Sequence, residues 1–236
     1  MKYNPILGNA KGKIGDVVLY VKNGVQMGRK YQPNVFNPRT ARQELSRAKL
    51  SLASSLANQF KRALEIGFGA YTSTRVSAYN LGVAEYVPVS SDIISGEDPN
   101  LLSVDFTSLI VAKGPLLSPQ LSGTMSFTTP LTIQGTYMFP QGNWDNLKNG
   151  EALGIVVVAY CPDNKNIVTW QDVVTADGSH TFEVMVPAGW QGMKVHVYAF
   201  YKVLPAGVNG IETATTPWRF PSNASYSSYL GFGNIS

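Results

Sequence analysis

Basic residues are the densest group of chemically active side chains in the sequence, and they lie in its first third. Six of them fall within residues 39–62: Arg39, Arg42, Arg47, Lys49, Lys61 and Arg62. Such side chains bind phosphates or carboxylates. On a helix, Arg39, Arg42 and Lys49 share one flank, and the other three spread over the polar side. We therefore predict a partner interface at these six residues, with non-specific phosphate contact left open.

Charge is divided unevenly along the chain. Residues 1–75 contain thirteen Lys and Arg against three acidic residues, a net charge of +10. Residues 76–236 contain six against twelve, a net charge of −6. Such a molecule can be drawn to nucleic acid, to an acidic partner or to the acidic part of another copy. The alternative interpretation is a basic layer that is only solvated.

The sequence lacks the residue patterns of a catalytic or metal site. His180 and His196 have no Cys or carboxylate at metal-ligand spacing, and we interpret each as a surface or hydrogen-bonded strand histidine. Cys161 has no neighbour that would activate it, and no serine lies in a nucleophile elbow. We therefore expect a non-enzymatic protein without cofactor or metal. The alternative is a hydrolase whose carboxylates are brought together only by the fold.

Composition favours a turn-rich β protein. Among 236 residues, 14% are charged, and there are 22 Gly and 14 Pro. The single cysteine cannot form an internal disulfide, and the start of the chain lacks a secretory signal, so we expect folding in a reducing cytoplasm. The longest apolar run, at residues 153–161, has the length of a strand, and we expect no membrane contact.

Residues 17–31 have the pattern of a β-hairpin, with alternating side chains on both sides of Asn23-Gly24. A long amphipathic helix follows. It begins at Asn37-Pro38 or at a Thr40–Gln43 capping box, and it runs to about Ile66, a length of about 40 Å. Its predicted apolar face is Leu45, Ala48, Leu52, Leu56, Phe60 and Ala63. A weaker helix is predicted at residues 74–87.

The rest of the chain has the pattern of an all-β module. Strands are predicted at residues 102–113, 120–128, 132–139, 152–161, 168–175, 179–186 and 193–203, with a last strand in the tail that pairs with the N-terminal hairpin. Apolar residues on both faces of residues 193–203 are typical of a central strand. We predict two domains: residues 1–98 for docking and assembly, and residues 99–236 as an antiparallel β-sandwich of the immunoglobulin or fibronectin type. Trp144, Trp170, Trp190 and Trp218 are interpreted as core residues.

Several separated segments resemble one known group of proteins. They are "GKIGDVVLYVKNGVQMGRKYQPNVFNPRTARQELSRAKLSLASSL", "SAYNLGVAEYV", "VDFTSLIVAKGPL", "VHVYAFYK" and "SYSSYLG". The group is an uncharacterised family of about this size from Bacteroidetes and the crAss-like phages that infect them. The resemblance implies a virion component, a ring or neck protein between portal and tail. It assigns no catalytic residue.

The leading hypothesis is therefore a structural protein of a tailed bacteriophage, made in the host cytoplasm. We expect a homo-oligomeric ring of about twelve copies that contacts the portal and other neck or tail proteins, with non-specific contact to packaged DNA as a further expectation. The first alternative is a glycan-binding or adhesion sandwich that uses exposed Trp and Tyr side chains, with Trp144 and Trp190 as the residues to test by substitution. A bacterial cytoplasmic location is the alternative to the virion.

Overall fold

The computed structural model divides the chain into two compact units, Met1–Gln43 and Glu44–Ser236. It describes residues 2–3, 10–22, 24–34, 38–73, 75–87, 93–122, 124–127, 130–138, 142, 147–148, 150–174, 178–205 and 223–236, with only the backbone described for residues 2–3. The predicted domain boundary between residues 98 and 99 lies inside the second unit.

The first unit is a four-stranded antiparallel sheet. Its strands are β1 (Lys2–Tyr3), β2 (Gly12–Ile14), β3 (Val17–Lys22) and β4 (Val25–Lys30), in the order β1-β4-β3-β2. The predicted hairpin is confirmed, because β3 and β4 pair along their full length. Gly24 adopts a φ of 76° in the connecting turn, a conformation that glycine enters without a steric penalty.

Three α-helices follow in the described residues: α1 (Ala41–Gln59), α2 (Lys61–Gly67) and α3 (Ala78–Tyr86). The capping box is confirmed, since the Gln43 amide donates to Thr40 Oγ1 and the Thr40 amide donates to Gln43 Oε1. Asn37, the other predicted cap, lies outside the described residues. The weaker predicted helix is present as α3, and the Ser77 side chain caps it by accepting from the Asn80 amide.

The single long helix predicted to end near Ile66 is replaced by α1 and α2, which are separated at Phe60. Phe60 has a ψ of 6°, away from the helical value near −42°. Its buried ring lies 4.6 Å from the Tyr160 ring and 5.9 Å from the Tyr198 ring. We attribute the break to the docking of this ring on the sheet beneath it.

Nine further strands complete the described part of the second unit. They are β5 (Ile94–Ser95), β6 (Ser103–Val104), β7 (Gln120–Leu121), β8 (Thr132–Met138), β9 (Ala152–Cys161), β10 (Asn166–Val174), β11 (Ser179–Met185), β12 (Lys194–Leu204) and β13 (Ser228–Asn234). They form a four-stranded sheet in the order β10-β9-β12-β13, a three-stranded sheet in the order β11-β8-β7, and the β5–β6 pair. All of these pairings are antiparallel.

Strand predictions were accurate where alternation was long, and wrong elsewhere. The prediction for residues 102–113 is wrong, because only residues 103–104 form a strand there and a 3₁₀ turn follows at Phe106–Ser108. At residues 120–128 the strand ends at Leu121. The tail does form a strand, β13, but it pairs with β12 rather than with the N-terminal hairpin. The backbone of β13 finds its partner in the large sheet, where an open edge was available.

The four-stranded sheet is apolar on both faces. The central strands of this sheet are β9 and β12. Their even-numbered side chains, including Val158, Tyr160 and Phe200, pack with Phe60 and the helices in one core cluster. Odd-numbered ones join the three-stranded sheet in a second cluster, whose members include Ile155, Val157, Val197, Ala199, Phe182 and Val184. The second unit therefore has a helical layer, a four-stranded sheet and a three-stranded sheet. The protein is mostly β in its described residues.

Gly114 marks a tight crossing of two chain segments. The segment around it runs beside residues 223–227, with a hydrogen bond from the Leu116 amide to the Ala224 carbonyl. A Cβ atom added to Gly114 would overlap the carbonyl oxygen of Ala224. Backbone atoms cannot turn away as a side chain can, so this position requires glycine.

We expect Gly114→Ala to lower the free energy of unfolding by about 2–3 kcal/mol, because the two segments must separate. Urea denaturation followed by circular dichroism measures the change. Gly189→Ala is the matched control, since a Cβ atom there meets nothing within 4 Å. Equal stability of the two variants would contradict the prediction.

Candidate interaction surface

The buried stripe of α1 is rotated from its predicted position. Leu56, Phe60 and Ala63 are buried as predicted, and Leu52 is partly buried against the same cluster. Leu45 and Ala48 are only half-buried, and no residue of α1 before Ala53 is buried. The buried side chains within α1 are Ala53, Leu56 and Ala57. Its first three turns therefore lie outside the core.

This rotation changes the position of two predicted interface residues. Arg42 and Lys49 precede Ala53 by eleven and four residues, spacings that place all three on one face of the helix. Arg42 is exposed and Lys49 is half-buried. The face that enters the core at Ala53 thus continues toward the start of α1 as a cationic surface, which we call the cationic face.

The other four predicted residues lie elsewhere. Arg39 precedes α1 and is exposed, and Arg47 is exposed on a different side of the helix. Arg62 is exposed on α2. Lys61 lines a polar groove of about 680 Å³ together with Glu65 and the residues that lead into α3. The six residues therefore do not share one face, and only Arg42 and Lys49 are aligned.

A buried lysine lies behind the helices, and sequence reasoning missed it. Lys202 on β12 is fully buried, and its Nζ donates to the Ile66 carbonyl of α2 at 2.8 Å. Burial lowers the pKa of this amine to about 8. The hydrogen bond ties the end of α2 to the central sheet. The detectable signal was a lysine that continues the apolar series Tyr198 and Phe200 along one face of a strand.

The two histidines are strand residues, as interpreted from the sequence. His196 is 5% exposed, and its Nδ1 lies 2.9 Å from the Tyr229 hydroxyl on the neighbouring strand. Burial, with a smaller contribution from nearby Lys194, lowers the pKa of His196 to about 4, so the ring is neutral near pH 7. His180 stacks on Tyr137 at 5.6 Å. Both side chains serve packing in the sheets.

Other chemically active residues are placed in the core. Cys161 is a buried free thiol whose sulfur lies 3.6 Å from that of Met193. Within the described ranges, no group of three His, Cys, Asp or Glu residues could hold a metal ion. Trp190 is 2% exposed, which confirms the core interpretation for this residue, whereas Trp170 is only partly buried against the same cluster. Trp144 and Trp218 lie outside the described residues.

The fold and surface define a class of protein: antiparallel sheets with a helical layer on one side and an exposed cationic helix face. Within this class, the chain belongs to a family of unknown function, DUF6266, whose model matches residues 9–214. This confirms the expectation of an uncharacterised family. A search of curated proteins finds no match.

Among the residues that the structure describes, no helix is both long and apolar enough to span a membrane.

Lys202 gives the folded state a pH dependence with a definite sign. Its pKa is lowered from 10.5 to about 8 on folding, so the unfolded chain holds this proton more tightly than the folded one. The free energy of unfolding should therefore rise as pH increases from 8 to 10.5. Between pH 7.5 and 9.5, Lys202 should contribute about 2 kcal/mol to this rise. Urea denaturation of the wild type and Lys202→Met at both pH values measures it.

The buried tyrosines titrate equally in the wild type and in Lys202→Met. The informative quantity is therefore the difference between the free energies of unfolding of these two proteins. Lys194→Met removes a positive charge from an exposed position of the same strand and serves as the control. If the difference in free energy of unfolding between wild type and Lys202→Met stays constant from pH 7.5 to 9.5, the Lys202 amine does not titrate in this range and the prediction is wrong.

Proposed function

We propose that this protein is a non-enzymatic structural component of the virion of a tailed bacteriophage, assembled as a homo-oligomeric ring or collar at the junction of portal, neck and tail. Its partners are further copies of itself, the portal and neighbouring neck or tail proteins, with non-specific contact to packaged DNA as a secondary role. The virion setting rests on the resemblance of the sequence segments to phage proteins.

We also propose that the four-stranded and three-stranded sheets of the second unit form an immunoglobulin-like sandwich. If β7 to β13 are lettered A, B, C, C′, E, F and G, one sheet holds A, B and E, and the other holds C′, C, F and G. Immunoglobulin-type domains divide their strands in this way. The shared core cluster between the sheets supports the same assignment. Such sandwiches act as rigid modules that present surfaces to neighbours.

The observation that carries the assembly role is the cationic face of α1. Arg42 and Lys49 extend a core-forming helix face into exposed turns, where the side chains have no cover from the core. The second unit carries eleven Lys and Arg against fourteen acidic residues, a net charge of −3, and the first unit carries a net charge of +7. An acidic surface of a neighbouring copy matches the cationic face in charge.

We expect Arg42→Glu combined with Lys49→Glu to leave the fold intact and to weaken self-assembly by about tenfold or more, because two attractions become repulsions. Native mass spectrometry and analytical ultracentrifugation measure the assembled fraction. Arg47→Glu combined with Arg62→Glu is the matched control, with the same change of charge on other faces.

The virion assignment has its own test. Purified protein mixed with the portal protein of its own phage should form a complex of defined stoichiometry. A strictly monomeric protein that binds no virion component would contradict the proposed function. Normal ring formation by the Arg42→Glu, Lys49→Glu variant would contradict only the proposed role of the cationic face in assembly.

One groove favours a second candidate function, saccharide binding. It has a volume of about 520 Å³ and brings the Trp170 ring together with hydroxyl, amide and carboxylate side chains, among them Thr181, Gln134 and Glu183. Aromatic faces with planar polar groups suit sugar rings. Of the two tryptophans predicted for this role, Trp190 is buried and Trp144 lies outside the described residues.

A glycan array distinguishes the two functions. Under the structural proposal we expect no saturable signal from the wild type. A specific signal that Glu183→Gln and Trp170→Ala both abolish, with circular dichroism unchanged, would favour saccharide binding instead.

A further inference from the structure

The sheet of the first unit exposes apolar side chains on one face. Ile14, Val17 and Leu19 lie on that face together, since Ile14 pairs with Val17 and Leu19 pairs with Gly12 and Gly28 in register. Ile14 is 66% exposed and Val17 is 43% exposed. Among the described residues of this unit, Gln26 is the only buried side chain. The unit thus has sheet structure without a core of its own.

Glycine shapes this face into a groove. Gly12 and Gly28 flank Leu19 and contribute no side chain, so the surface is lower there than at Ile14 and Val17. The groove has a volume of about 630 Å³. Its lining includes Arg29 and Lys30, and Asp16 is the one carboxylate. We call it the hairpin groove: an apolar floor with a mainly cationic rim.

An isolated small sheet with an open apolar face is marginally stable in water, because the face needs a layer to cover it. Contiguous apolar patches with polar rims are typical of protein interfaces. The cover must be apolar where it enters the groove and acidic where it meets Arg29 and Lys30. Among the described residues of the second unit, an exposed feature with both properties is present.

That feature is the turn between β5 and β6. Leu101 is 75% exposed, and Glu97 and Asp98 precede it in the same turn, both exposed. The turn is held by hydrogen bonds from the Asn100 amide to Asp98 Oδ1 at 2.9 Å and from the Leu101 amide to the Asp98 carbonyl at 3.0 Å. Ile94 beneath it is buried in the core. A preordered turn loses little entropy when it docks.

We infer that the hairpin groove of one copy receives the Leu101 turn of a second copy, with Glu97 and Asp98 against Arg29 and Lys30. Met185, at 79% exposed, is the rival apolar side chain. Along its strand, Glu183 is the single acid near it. The Leu101 turn offers two carboxylates and therefore matches the rim better.

This contact joins different surfaces of two identical chains, so a pair of copies keeps one free groove on one chain and one free turn on the other. Such head-to-tail contacts close into a ring or continue as a filament. The inference rests on the proposed homo-oligomer and names the surfaces that would build it. It does not depend on the virion setting.

The first experiment measures the self-association constant by analytical ultracentrifugation. Leu101→Asp should weaken self-association by about tenfold or more, because a charge would enter the apolar groove. Met185→Asp, equally exposed and elsewhere, should leave it unchanged. Lys30→Glu and Glu97→Lys should each weaken it, and the two together should restore it. Equal assembly of the Leu101→Asp and Met185→Asp variants would overturn the inference.

The second experiment decides which chain covers the groove. Val17→Cys chains and Leu101→Cys chains are mixed and oxidised, and we expect a disulfide-linked dimer containing one of each. Val17→Cys with Met185→Cys is the control mixture and should remain unlinked. If the double variant Val17→Cys, Leu101→Cys instead forms only an intramolecular bond when dilute, the groove is covered by its own chain and the inference fails.

The outcomes separate this contact from the proposed function. Assembly that survives Leu101→Asp overturns the contact and leaves the ring proposal standing. Self-association through this contact without any binding to virion proteins supports the contact and removes the phage role. A wild type that never self-associates overturns both.

Discussion

The pairing of β9 with β12 is the constraint on which the second unit depends. Both strands are buried on both faces, so their side chains contribute to both core clusters, supplying half of the buried residues in the cluster shared with the three-stranded sheet. The helices can dock only on the even-numbered face and the three-stranded sheet only on the odd-numbered face. Nine residue pairs hold the register, from His196 with Tyr160 to Leu204 with Ala152. A slip of one residue would exchange the two faces and misplace both layers.

Several buried polar groups in the described residues of the second unit join one layer to another. Lys202 reaches from the sheet to the Ile66 carbonyl, and the Tyr198 hydroxyl donates to the Phe106 carbonyl at 2.7 Å. The Tyr160 hydroxyl donates to Gln59 Oε1 at 2.6 Å at the end of α1. Apolar packing alone tolerates several positions of the helical layer on the sheet, whereas each of these hydrogen bonds can form in only one of them. They fix how the helices lie on the sheet.

Periodicity predicted the elements whose pattern is local. The hairpin around Gly24, the Thr40 cap and β9 follow from turn chemistry, side-chain bonding and a long apolar run. The break at Phe60 depends on Tyr160 and Tyr198, about a hundred residues away in sequence, so no local pattern could show it. Residues 102–113 are apolar enough for a strand, but they instead cover the helical core with Leu109 and Val111. For the candidate surface, the sequence predicted the basic residues Arg42 and Lys49. It did not predict that the buried face of α1 is rotated toward Ala53 and is therefore aligned with them.

The first three turns of α1 carry a consequence for local stability. With no buried side chain before Ala53, these turns have less support from the core than the residues that follow, and the Thr40–Gln43 cap stabilises their start. A helical segment with little support from the core opens more easily, so we expect its backbone amides to exchange with solvent faster than those after Ala53. The helix therefore has a gradient of opening free energies along its length. Its unburied end can change conformation to suit a partner while the sheet and its helical layer stay folded.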